Sequence, residues 1–187
     1  ELFLTEMINS GVRGWKSSDL LANLEGVCLR YDPDIVTIMI GTNDHAIYQG
    51  NELPAISVVD FEANLTKIVR TIRGRRTEGG DRHIPKIILM TPPFVATHTN
   101  VAGTQASQAR LTEYCRAIKK ISERENTGFV DVNVITGNEV GWDDRTFFDQ
   151  YTDRNDGVHL NSLGHSVIAP YIFRAVQTAA IELRRHH

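Results

Sequence analysis

The sequence predicts a three-layer α/β domain built on a parallel sheet. Apolar, β-branched runs stand at 35–40, 86–90 and 128–132, and segments with helical apolar spacing separate them. Such runs suit strands covered on both faces, and helices of this length between strands make right-handed crossovers. At 187 residues, with ordinary apolar and charged fractions, one globular domain is expected.

Met7 to Asn9 reads as the end of a short strand, followed by a glycine turn from Ser10 to Trp15. Ser17 or Ser18 caps a helix whose apolar residues are Leu20, Leu21, Leu24, Val27 and Cys28. Asp32-Pro33-Asp34 stops it, and Ile35 to Ile40 is a buried strand. Beyond a loop from Gly41 to Ser57, a helix buries Val59, Phe61, Leu65, Ile68, Val69 and Ile72. A charged glycine turn, 74–83, leads to the strand at 85–90, and Thr91-Pro92-Pro93-Phe94 opens a loop to Gly103. The helix from Thr104 to Asn126 buries Leu111, Tyr114, Cys115, Ile118 and Ile121. After the strand at 128–132, a long loop carries Trp142, Phe147, Phe148 and Asp156, and Ser162 starts a last helix to Arg184.

A net charge of −3 gives no reason to expect nucleic acid or an anionic membrane as partner. Arg70, Arg73, Arg75 and Arg76 read as the solvated end of a helix. No apolar run approaches the roughly 20 residues of a membrane-spanning helix. Cys28 and Cys115 read as two buried thiols, His186-His187 carries no function, and compartment and oligomeric state stay open.

In an open α/β sheet, sites form outside the carboxyl ends of the strands. Gly14, Asn43, the loop after Met90 and the segment from Asp156 to His159 each follow a strand in the expected order, so they should meet on one rim. An acid three residues before a histidine can orient the imidazole, whose other nitrogen then takes a proton from a nucleophile. An asparagine leaving a strand can aim an amide donor into the same crevice. These are parts of an acyl-transfer site, and no cofactor or metal is called for. His83, His98, His159 and His165 contain no pair at a helical metal-ligand spacing. No glycine-rich phosphate loop follows a strand.

Asn9-x-Gly11-x-x-Gly14, Gly41-Thr42-Asn43-Asp44 and Asp156-x-x-His159-Leu160-Asn161-x-x-Gly164-His165 resemble the second, third and fifth blocks of the SGNH hydrolases, the GDSL-like lipase/esterase family. The resemblance spans essentially the whole chain. It implies a flavodoxin-like sandwich and hydrolysis of an ester through a serine acyl-enzyme. His159 would be the base, Asp156 its orienter, and the Gly14 N–H and the Asn43 amide part of the oxyanion hole. Asp44 would brace its loop, and His165 would anchor the last helix.

The family's first block, Gly-Asp-Ser on the first strand, has no counterpart in this sequence. Ser10 sits inside the second block, while Ser17, Ser18 and Ser162 suit helix caps. The nucleophile is therefore unassigned. We expect the first strand and its serine to lie ahead of residue 1, the 187 residues being one N-terminally incomplete domain. The alternatives are a binding domain of this fold that lost the serine, and attack by a differently placed group.

For the substrate, Trp15 beside the oxyanion glycine suits stacking on a sugar ring, and Phe94 and Trp142 suit apolar walls. Thr97, His98, Thr99 and Asn100 make their loop polar. A small acyl group, acetyl above all, on a carbohydrate alcohol is the favoured ester.

Overall fold

The computed structural model describes residues 6–75, 84–96, 104–153 and 157–184. Among them the elements run in order as α1 (Ser17–Ala22), α2 (Leu24–Val27), β1 (Ile35–Met39), α3 (Thr42–His45), β2 (Ile47–Tyr48), α4 (Val58–Gly74), β3 (Lys86–Met90), β4 (Thr104–Gln105), α5 (Gln108–Glu125), β5 (Gly128–Val130), α6 (Val132–Glu139), α7 (Asp144–Thr146) and α8 (Ser162–Arg184). A 3₁₀ turn, Leu29–Tyr31, and a π-helical turn, Phe147–Tyr151, complete them.

β1, β3 and β5 form a parallel sheet in that spatial order, with Val36 beside Ile87 and Leu89 beside Phe129. Side chains alternate across a pleated strand, and this separates the layers. Ile38, Ile87 and Leu89 join Phe61, Leu65, Ile68 and Ile118 of α4 and α5 in the larger core. Ile88, Met90 and Val130 face the other way and pack against Ile168 and Ala179 of α8. The three-layer α/β expectation is the architecture found.

Local chemistry explains the long helices. Ser57 Oγ accepts the Asp60 N–H at 3.1 Å at the start of α4, and Ser107 Oγ accepts the Arg110 N–H at 3.3 Å at the start of α5. Each satisfies a donor that the helix leaves unpaired. Asn126, left-handed at φ 50°, closes α5.

Several expectations are corrected. Met7 to Asn9 is not a strand, since no neighbouring strand lies alongside it among the described residues, and Met7 is 91% exposed. Ser17 is not a cap: the Asp19 carboxylate accepts the Lys16 N–H at 2.9 Å, and Ser17 is buried in the first turn. Val59, on the solvent side of α4, is 78% exposed, while its five predicted companions are buried.

Residues 104–105 pair with β2 instead of extending α5. The strand at 128 ends at Val130, because the Asp131 carboxylate accepts the Val134 N–H at 3.2 Å and opens α6. Much of the expected long loop is therefore helical. Asn161, not Ser162, caps α8, its Oδ1 accepting the Gly164 N–H at 3.0 Å.

β1 also departs from the expectation of burial on both faces. Only Ile38 is fully buried, and Thr37 and Met39 are exposed. The α8 layer covers β5 and β3 but reaches little of β1. Among the described residues β1 has a strand neighbour on one side only. Of the remaining expectations, the turn at 74–83 falls largely, and Arg76, the Thr97–Asn100 cluster and His186-His187 fall wholly, outside the described residues.

Candidate active site

The carboxyl ends of three parallel strands define one rim; the segment leaving β1 carries Asn43 and the segment leaving β3 carries Phe94. Gly41, at φ 124°, takes the chain off β1. A Cβ there would stand 3.3 Å from Pro92 Cγ and strain the backbone. The turn delivers α3, which holds Asn43 and Asp44.

Two hydrogen bonds join α3 to the Gly14 turn. Asn43 Nδ2 donates to the Trp15 carbonyl at 3.0 Å, and the Ser17 N–H donates to Asp44 Oδ1 at 2.9 Å. Ser17 Oγ in turn receives Asn64 Nδ2 of α4 at 3.0 Å. Gly14 is exposed at the turn, with φ 79°. The structure thus brings Gly14, Trp15 and Asn43 together. Burial holds the Asp44 carboxyl above the usual carboxylate range, and its Oδ2 has no hydrogen-bond partner among the described residues.

His45 lies beneath. Its Nδ1–H donates to the Thr42 carbonyl at 2.5 Å, and its Nε2 accepts the Ser107 N–H at 3.4 Å. Only the neutral Nδ1–H tautomer satisfies both bonds. Burial pushes its pKa down to about 4, with the Arg110 guanidinium adding to the effect. Arg110 Nε donates to the His45 carbonyl at 2.5 Å and its NH2 to Gln105 O at 2.7 Å, fastening the β2–β4 ribbon to α3.

His159 lies between the π-helical turn and α8. Thr152 and Leu160 form an antiparallel bridge, and the Asp153 N–H donates to the His159 carbonyl at 2.7 Å. Leu160 packs in a cluster with Phe94 and Ala96, which follow β3. Its ring is exposed in an open cleft of about 850 Å³, lined also by Asp149, Gln150, Asp153 and His165. Asp156 lies outside the described residues.

The two aromatic wall candidates stand together. Phe94 is 5% exposed and meets Trp142 edge to face at 5.7 Å and Phe147 at 5.1 Å. Trp142 lies over Gly137, where a Cβ would come within 2.5 Å of the indole, and its Nε1 donates to Asn138 Oδ1 at 3.1 Å. Phe94 is a core side chain under the rim, and Trp142 is the half-exposed edge of the same cluster.

Sequence reasoning missed the polar network behind the rim. Thr91 Oγ1 donates to Asp131 Oδ1 at 3.0 Å and accepts the Asn133 N–H at 2.9 Å. Gln108 Nε2 donates to Asn133 Oδ1 at 2.7 Å. The polar residues directly after β3 and β5, Thr91 and Asp131, were the available signal. Among the described residues no group of His, Cys, Asp and Glu side chains is arranged to hold a metal ion.

The parallel sheet between helical layers is shared with ester hydrolases of the three-layer α/β type, and the chain is of that class. The chain belongs to the GDSL-like lipase/acylhydrolase family, whose model matches residues 3–167. It is similar to an acetylxylan esterase of Geobacillus stearothermophilus, 29% identical over 177 residues, or 91% of this chain and 71% of that protein. The crystal structure of an acetylxylan esterase from that organism superposes with a TM-score of 0.66 at 25% identity, over 87% of this chain and 68% of that one. A lipase/acylhydrolase of Enterococcus faecalis shares the fold, with a TM-score of 0.65 at 21% identity, over 88% of this chain and 72% of that one. Solved variants of the Geobacillus esterase include catalytic mutants at a serine, at an aspartate and at a histidine three positions after that aspartate.

Proposed function

We propose that this chain removes acetyl groups from a carbohydrate ester through a serine acyl-enzyme. His159 is the general base and then acid, and Asp156 orients it. The Gly14 N–H and the Asn43 side-chain amide receive the oxyanion. The observation that supports the reading is the bond from Asn43 to the Trp15 carbonyl, which ties the Asn43 side chain to the residue after Gly14. Preorganised donors contribute on the order of 3 kcal/mol each to a tetrahedral intermediate, because they need no reorientation as charge develops. The aspartate and histidine of the similar acetylxylan esterase have the spacing of Asp156 and His159. A polar cleft with Asp149, Gln150 and Asp153 beside His159 suits a hydroxyl-rich alcohol. Trp15, half-buried next to Gly14, offers an indole for a sugar face, and Trp142 offers an exposed edge farther along the rim.

The nucleophile is a serine on a strand ahead of Glu1. The serine of the Geobacillus esterase precedes its aspartate by more residues than stand ahead of Asp156 here. The open side of β1, with Thr37 and Met39 uncovered, offers a parallel strand the pairing it needs.

Labelling with a fluorophosphonate and mapping the modified peptide tests this. A label on a serine upstream of Glu1, lost in His159→Ala, is expected. A label on Ser10 or another serine of these residues would overturn the upstream assignment. No label, with acetylated xylo-oligosaccharide left intact, would favour a ligand-binding domain instead.

A further inference from the structure

Asp44 is fully buried, yet the hydrolytic reading gives it no step. A carboxyl group withdrawn from water costs several kcal/mol unless its oxygens are satisfied. Here one oxygen is engaged and the other has no partner among the described residues. The engaged oxygen takes the N–H of Ser17, a first-turn donor that α1 cannot use itself.

That bond forms a pair with another. Asn43 holds the Trp15 carbonyl, and the next residue, Asp44, holds the amide two residues further on, at Ser17. The two rungs fix both the position and the tilt of the segment that begins at Gly14. With one rung the segment can pivot about the other, and the Gly14 N–H moves with it. α3 itself is anchored from behind, since the Ile56 N–H donates to the Asp44 carbonyl at 3.1 Å and Arg110 to that of His45. The clamp therefore has a rigid side, α3, and a held side, the exposed Gly14 turn.

We propose that Asp44 is a positioning residue that holds the Gly14 turn in register with Asn43. The assignment rests on the esterase reading for its effect on rate, but not for the contact itself. Oxyanion donors work within about 0.4 Å of range, and a displacement of about 1 Å can cost on the order of a hundredfold.

The test uses the polypeptide with any segment ahead of Glu1 in place. Asp44→Ala should lower kcat for p-nitrophenyl acetate about 10- to 100-fold, with KM changed less than about threefold. The Ser17 amide should exchange with solvent at least about tenfold faster by NMR. Asp44→Asn keeps an acceptor at Oδ1 and should recover most of both. Ser17→Pro, which removes the donor at a position where a helix tolerates proline, should reproduce the loss of kcat. Unchanged Ser17 exchange in Asp44→Ala, no recovery in Asp44→Asn, or wild-type kcat in Ser17→Pro would each overturn the proposal. If the wild type hydrolyses nothing while Asp44→Ala frees the Ser17 amide, the clamp stands and the esterase reading falls.

Discussion

Asn43 carries two amide hydrogens, and among the described residues the fold uses its nitrogen once, for the Trp15 carbonyl. In the proposed reaction the second hydrogen meets the oxyanion. Asn43→Ala is expected to reduce kcat by roughly 100- to 1000-fold with a smaller change in KM, as the loss of one preorganised donor should. Steady-state kinetics on p-nitrophenyl acetate would read it. Two positions further, His45 shows what a buried imidazole does to stability. Its pKa falls from 6.5 unfolded to about 4 folded, so only the unfolded chain takes the proton between those values. Stability is thus complete above about pH 6.5 and declines as pH drops towards 4, by on the order of 3 kcal/mol. The raised carboxyl of Asp44 acts in the opposite sense above its ordinary value of 3.8. The informative measurement is therefore the urea-unfolding difference between wild type and His45→Asn at pH 7 and pH 4.5. It should shrink markedly at the lower pH.

At the scale of elements, packing decides more than propensity does. Helical spacing in the sequence located α4, α5 and α8, because an amphipathic stripe of three turns or more can be read without knowing its partner. It erred at Val59, which at about 100° per residue lies roughly 140° from the centre of the buried stripe, and at the region after Val130. There the run of Trp, Phe and Asp residues resembles a loop, and only mutual contact among Phe94, Val140 and Phe147 makes it helical. Gly164 is the third residue of α8, and a helix ordinarily disfavours glycine. Its Cα lies so close to the π-helical turn that a Cβ would sit 2.4 Å from the Tyr151 carbonyl oxygen. Gly164→Ala should cost about 1–3 kcal/mol by thermal or urea unfolding. It should also disturb the His159 loop, which is bridged to the same turn through Leu160 and Thr152.

For the whole molecule, the uneven cover of the sheet matters most. α8 shields β5 and β3, while Met39 remains 42% exposed and Phe173 of α8 64% exposed. An uncovered apolar edge pairs with whatever strand arrives. A polypeptide of these 187 residues alone should therefore associate as concentration rises, with sedimentation velocity reporting the mass. Thr37→Lys, which puts a charge on the open face of β1, should reduce that association. Under the proposal of a strand ahead of Glu1, a longer polypeptide carrying that strand should not associate.

By itself the sequence determined the layer order, the three parallel strands and the family, since hydrophobic period and the Gly41–Asp44 and Asp156–His165 patterns are local signals. It also marked Asn43 and His159, because each stands in one of those short local patterns. Only the tertiary structure decided that Ser17 serves Asp44 instead of capping a helix, that His45 is buried and neutral, and that Phe94 is core. Those outcomes depend on which distant groups share a buried volume, and sequence spacing carries no information about a bond between residues 27 apart.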